Sequence, residues 1–173
     1  MSIVTKKGDS GRTSLYCGRR VPKDDIRIDI CGAIDEVSSF LGLAKNVTKN
    51  SRTRRAVNSI QKELIVFGSE IAAVPHSADR LKKRIGKDSV CVLEKEINDL
   101  ENKHKIKIKS FCLPGDNMAS SALDIARAIT RRAERRCVTL HRQGMIKNNN
   151  ITTYLNRLSD LLYLLARFNE KKK

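Results

Sequence analysis

Five arginines fall within ten residues toward the end of the chain: Arg127, Arg131, Arg132, Arg135 and Arg136, with one acid, Glu134, among them. The stretch around them, Met118 to Gln143, reads as a helix. Ala122, Ala126, Ile129, Ala133, Cys137 and Leu140 recur at helical spacing and mark its inward face. At about 3.6 residues per turn, Arg127, Arg131 and Arg135 stack in one row, with Arg132 and Arg136 in the adjoining one. Like charges four residues apart cost roughly 0.2–0.5 kcal/mol per pair. Such a face is easiest to understand if something anionic lies against it. Arginine suits a phosphate, because its planar fork donates two parallel hydrogen bonds and its charge is permanent. The plainer reading is a solvated basic face, with Glu134 pairing locally with Arg131.

A second candidate lies at the other end of the chain, in Thr5-Lys6-Lys7-Gly8-Asp9-Ser10-Gly11-Arg12-Thr13-Ser14. Glycines let backbone N–H groups approach a phosphate closely, and hydroxyls and lysines add donors. No Gly-Lys-Ser/Thr closes the loop, so it is not a Walker A sequence. The glycine spacing does not match a dinucleotide fingerprint. Taken alone, a flexible Gly/Ser/Lys-rich tail is the commoner explanation.

These groups need a scaffold, and the rest of the chain supplies helices. Residues 1–23 show no sustained periodicity. Helices are expected from about Asp24 to Val47, from Thr53 to Val74 with Pro75 as the stop, and from an N-cap at Asp88 or Ser89 to His104. Lys105 to Asn117 reads as an extended segment ending in a turn. The arginine helix follows and stops at Gly144, and a last helix begins after Asn148-Asn149-Asn150. The expected inward stripes are Ile30, Ile34, Val37, Leu41 and Ala44; Val57, Ile60, Leu64, Phe67 and Ile71; Val90, Leu93, Ile97 and Leu100; and Ile151, Leu155, Leu158, Leu162 and Leu165. Five amphipathic helices with modest connections imply an all-α bundle. Aromatics make up only 4% of the 173 residues and Trp is absent, so the core rests on Leu, Ile, Val and Ala.

The formal net charge of +16 predicts a positive surface field that attracts polyanions. The five cysteines are widely spaced, with no C-x-x-C and no histidine at ligand spacing, which argues against a metal site and for a reducing compartment. Met1 to Lys7 lacks the apolar stretch of a signal peptide, and no apolar run is long enough to span a bilayer. A cytoplasmic protein without a membrane anchor is expected.

In combination the motifs become specific. Thr5-Lys6-x-Gly8-Asp9-x-Gly11-x-Thr13-Ser14, Pro22-Lys23-Asp24-Asp25, Gly32-x-x-Asp35-Glu36, Arg131-Arg132-Ala133-Glu134-Arg135 and Asn156-Arg157-Leu158-Ser159-Asp160 occur in the order found in the PduO-type ATP:cob(I)alamin adenosyltransferases, and the chain resembles that family over nearly its whole length. The resemblance implies a single domain, residues 1–173. It combines an irregular N-terminal ATP loop at 1–23 with a five-helix bundle over 24–170, and it assembles as a homotrimer with sites between subunits. It implies that Thr5, Lys6, Lys7, Gly8, Thr13, Ser14 and Lys23 contact ATP from the loop, that Arg131, Arg132, Glu134 and Arg135 contact it from the helix, and that Asn156 completes the pocket. Arg132 would act in catalysis, with Arg127 and Asp35 at the subunit boundary beside the site. Phe111 would press on the lower face of the corrin ring. Lys7 stands where the family often has Thr, and Asp116 where a second Gly is common.

The implied substrates are ATP with Mg²⁺ and a reduced corrinoid, with a reductase and a B12-dependent acceptor enzyme as possible partners. No protein nucleophile or general base is needed, because Co(I) is itself the nucleophile. That agrees with the lack of a Ser/His/Asp or Cys/His arrangement. A basic helical nucleic-acid-binding protein is the alternative. It explains the charge but leaves the Gly/Thr/Ser head and Asn-Arg-Leu-Ser-Asp without a purpose. A non-catalytic helical scaffold fits the bundle but not the clustered phosphate-type donors.

Overall fold

The structure is a computed structural model, and it describes residues 4–16, 18–74, 80–106 and 112–170. Five α-helices carry the architecture among these residues: α1 Ile26–Val47, α2 Ser51–Ala72, α3 Lys87–Asn98, α4 Met118–Arg142 and α5 Asn150–Phe168. Across the bundle the packing order is α2-α1-α4-α5-α3, so the arginine helix α4 lies centrally, between α1 and α5. Every residue of the expected stripes is buried except Ile97, which is partly buried against the same core. No helix among the described residues is long and apolar enough to cross a membrane.

Local chemistry sets the helix ends, and it moves some of them. Asp25 caps α1, its carboxylate accepting from Arg27 N at 2.9 Å, so the helix begins two residues later than the acidic pair suggests. Asn50 accepts from the backbone of Arg52 and Thr53 and starts α2 at Ser51. That helix ends at Ala72, short of Val74, and Pro75 lies outside the described residues. The expected cap of α3 is corrected: Gly86 holds the N-cap position, and Ser89 Oγ donates instead to Glu63 at 2.9 Å. Beyond Asn98 the helix widens into a π turn, Asp99–Lys103. Asn117 and Ser120 form a reciprocal capping box at the start of α4. At its other end Gly144 has φ +67°, with Gly144 N donating to His141 O and Met145 N to Leu140 O, a Schellman closure that favours glycine.

The head is more ordered than its sequence implies. Arg12–Ser14 (β1) and Arg20–Pro22 (β2) pair antiparallel, Arg12 opposite Pro22. Strands of three residues are too short to show alternation. Leu15 and Val21 are buried, and Tyr16 N donates to Ala72 O at 3.0 Å, which seats the hairpin at the end of α2. Buried Arg27 braces the same end of the bundle, donating to Ile71 O, Ala73 O and Met145 O.

Candidate functional site

The arginine face is built in two tiers. Three of its members are held by acids. Arg132 Nη2 pairs with Glu36 on α1, Arg136 pairs with Asp29 at 2.7 Å, and Arg127 Nε pairs with Asp124 at 3.3 Å. Arg131 and Arg135 are exposed and make no ion pair or side-chain hydrogen bond among the described residues. Arg132 Nε is buried without a partner, leaving one guanidinium donor unspent. The expected local pairing of Glu134 with Arg131 is absent. Glu134 Oε1 instead accepts from Asn156 Nδ2 of α5 at 3.1 Å, so two residues from separate motifs share one hydrogen bond. Arg157 donates to Asn156 Oδ1 at 3.0 Å and pairs with Glu94, which fixes the amide's orientation. Asp160, about one turn on, has its carboxyl pushed up by burial, with Arg157 and Arg131 opposing that shift.

Behind Arg127 lies a network that no motif announced. Asp124 is buried and pairs with Arg167 of α5 as well as with Arg127. Both guanidiniums lie over the Tyr163 ring, 4.9 Å from its centroid for Arg167 and 5.7 Å for Arg127. In the sequence, Asp124 reads as an ordinary acid on the helix. Two residues from Ala126, it falls on the far side of the helix from the apolar stripe, so no helical spacing marked it as buried. Glu36 and Asp29 were likewise missed as arginine partners, because pairing between helices has no sequence period.

The N-terminal loop is held by its own hairpin. Arg20 Nη2 donates to Lys7 O at 2.7 Å and to Arg12 O at 3.1 Å, while Arg12 donates back to Arg20 O. Lys23 N donates to Gly11 O at 2.9 Å. The Lys23 ammonium lies so close to Gly8 that a Cβ there would sit 3.2 Å from Nζ. Lys6 adopts φ +56° and Gly11 φ +73°, and such left-handed turns point successive N–H groups to one side. Thr5, Lys6, Lys7, Ser14 and Lys23 are exposed; Gly8 and Thr13 are half-buried. Together these residues present an exposed cationic surface with backbone donors among it.

Among the described residues no hydrogen bond or ion pair joins Thr5–Ser14 to the five arginines. Asp35 lies exposed on α1 in a groove with Gln61 and Ile65 of α2, and Arg127 pairs with Asp124 instead. Phe111 lies outside the described residues. The following turn is described, with Gly115 at φ +117°.

Comparison with known proteins gives concordant matches. A model of the cobalamin adenosyltransferase family matches residues 3–169. The chain is 39% identical over 168 residues to a corrinoid adenosyltransferase of Citrobacter freundii, covering 97% of this chain and 94% of that protein. It is 36% identical to the corrinoid adenosyltransferase PduO of the same organism, covering 96% of this chain and 49% of that protein, so it spans about half of that relative's length. A solved structure of a phenylalanine-to-alanine variant of the PduO-type ATP:corrinoid adenosyltransferase from Lactobacillus reuteri, complexed with cobalamin and ATP, superposes with a TM-score of 0.83 at 33% identity, covering 96% of this chain and 92% of that one.

Proposed function

The chain belongs to the cobalamin adenosyltransferase family and catalyses ATP-dependent adenosylation of a corrinoid, and we propose that its arginine face and N-terminal loop perform that transfer across a subunit boundary. In the reaction, Co(I) of the reduced corrinoid gives an electron pair to C5′ of ATP. The C5′–O5′ bond breaks, and its electrons leave on triphosphate. The protein's work is to hold C5′ in line with cobalt and to stabilise the charge gathering on the leaving group.

The observation that carries the assignment of residues is the pair of guanidiniums without an ion-pair partner among the described residues, Arg131 and Arg135, beside Arg132 with its unspent Nε. Donors already in place cost no reorganisation as charge develops. Arg132 is proposed as the catalytic arginine. Arg131, Arg135, Glu134 and Asn156 line the nucleotide site. Thr5, Lys6, Lys7, Gly8, Thr13, Ser14 and Lys23 cover it from a neighbouring subunit's loop, with Arg127 and Asp35 at the junction. The lack of a hydrogen bond or ion pair between loop and arginine face among the described residues of one chain supports a homotrimer, as does the resemblance. Residues 1–23 then act as the ATP loop of a single domain whose bundle spans 24–170. Mg²⁺ enters on the phosphates of ATP; no group of three metal-ligating side chains lies together among the described residues. Phe111 is proposed to fill the space below the corrin ring, excluding water and the lower ligand so that Co(II) is more readily reduced. A cytoplasmic site of action, a reductase and a B12-dependent acceptor complete the reading.

The test is direct. Purified protein, ATP, Mg²⁺ and chemically reduced cobalamin should give the adenosylcobalamin spectrum and one triphosphate per corrinoid. Phosphate plus pyrophosphate without triphosphate, or no corrinoid product under strict reduction, would refute it.

A further inference from the structure

Asn156 is held from both sides. Its Nδ2 donates to Glu134 Oε1 of α4 at 3.1 Å, and its Oδ1 accepts from Arg157 Nη1 at 3.0 Å. The two ends of an amide differ in that one donates and the other accepts. A carboxylate on one side and a guanidinium on the other therefore select one orientation of it. Arg157 is the next residue along α5, about 100° around the helix from Asn156, so its side chain must turn back to reach the amide.

Glu94 of α3 supplies that turn. Its Oε1 accepts from Arg157 Nε at 3.0 Å. Nε and Nη1 belong to one rigid planar fork, so holding the first sets the direction of the second. The competing acid is Asp160, about one turn on in α5. Its Oδ2 is 3.8 Å from the same Nη1, beyond hydrogen-bond reach. Leu93 and Leu158, the chain neighbours of Glu94 and Arg157, are buried in the common core, which fixes the backbones that carry the pair. We propose that Glu94 is a positioning residue for the transfer: through Arg157 it sets the amide of Asn156 and ties α3, which holds none of the motif residues, to the nucleotide site. This role rests on the assignment of Asn156 to that site. Glu94 and Arg157 are only half-buried, and an ion pair so placed adds little to stability. Its effect is therefore on rate.

Glu94→Ala should lower kcat about tenfold, less than removal of the amide itself, because a rotating amide still visits the working pose. The KM for corrinoid and the thermal midpoint should stay at the parent's values. Glu94→Gln keeps an oxygen for Arg157 Nε and should recover most of the rate. Arg157→Met breaks the same relay at its middle and should match Glu94→Ala, which keeps the test open if that variant misfolds. In an Asn156→Ala background, Glu94→Ala should cost nothing further, whereas two independent effects would multiply. A parental kcat in both Glu94→Ala and Arg157→Met, or multiplied losses in the double variant, would overturn the relay and leave the nucleotide site standing. A parental rate in Asn156→Ala would instead overturn the nucleotide assignment, and the relay with it.

Discussion

Glu134 and Asn156 are 22 residues apart in the chain and joined by one hydrogen bond of 3.1 Å between α4 and α5. The contact links the arginine row to the Asn-Arg-Leu-Ser-Asp block. Each becomes a position in a common site rather than a motif on its own helix. With Glu134 bonded to Asn156, Arg131 has no ion-pair partner among the described residues.

Removing donors from this site should cost rate rather than fold. Arg132→Ala and Asn156→Ala should each lower kcat by about a hundredfold or more, the usual loss when one charge-stabilising donor is removed. Both side chains lie only half-buried on the surface of packed helices, so neither truncation opens a core cavity. Far-UV circular dichroism and thermal melts should match the parent. Normal rates for both variants would show that ATP binds elsewhere.

Asp124 should behave in the opposite way. Its carboxylate and Arg167 form a buried pair, so Asp124→Ala leaves a buried cation without its acid. A stability loss of about 3–5 kcal/mol is expected in urea denaturation. Asp124→Leu combined with Arg167→Met should recover most of it, because the desolvation of both charges is relieved together. If the double variant is as unstable as the single, the pair is not what orders this end of α4.

Alkaline pH should weaken the fold through two thiols. Burial pushes Cys31 up to about 11 and Cys137 up to about 12, from 9.0 for each. A group whose value is raised by folding contributes stability that is complete below its unfolded value and is lost as pH rises toward its folded one. Urea midpoints should therefore fall as pH climbs from 9 toward 11, and the double variant Cys31→Ala/Cys137→Ala should fall less steeply. At neutral pH a thiol reagent should label exposed Cys91 quickly and buried Cys137 only after denaturation. Fast labelling of Cys137 in the native protein would contradict its burial.

Assembly can be tested by complementation. Lys6→Ala damages the loop and Arg132→Ala the helix, and each protein alone should be nearly inactive. Unfolded and refolded together, they should regain part of the parental rate, because some boundaries then join an intact loop to an intact arginine face. Sedimentation of the parent should report three copies. No recovery in mixed assemblies that do form, or an active monomer, would place loop and helix in the same subunit.

The helices were legible because burial imposes a period. Each expected stripe, from Ile30-Ile34-Val37 to Leu155-Leu158-Leu162, is found on the core side, and only one of its residues, Ile97, falls short of full burial. Gly144 was legible as a stop because a left-handed residue is needed there. The arginine row and the phosphate-suited head could be recognised from residue types and from the order of their motifs. The hairpin of the head was not, because three-residue strands show no alternation, and neither was the π turn after Asn98, where His104 N donates to Asp99 O in a helix of ordinary sequence. What only the tertiary structure decided is which charges are spent. Arg132 meets Glu36 across 96 residues, Asp124 meets Arg167 across 43, and Glu134 turns to Asn156, leaving Arg131 and Arg135 without an ion-pair partner among the described residues. Sequence records that a guanidinium is present. Whether a carboxylate from another helix reaches it depends on how the helices pack, and that is set by the whole core.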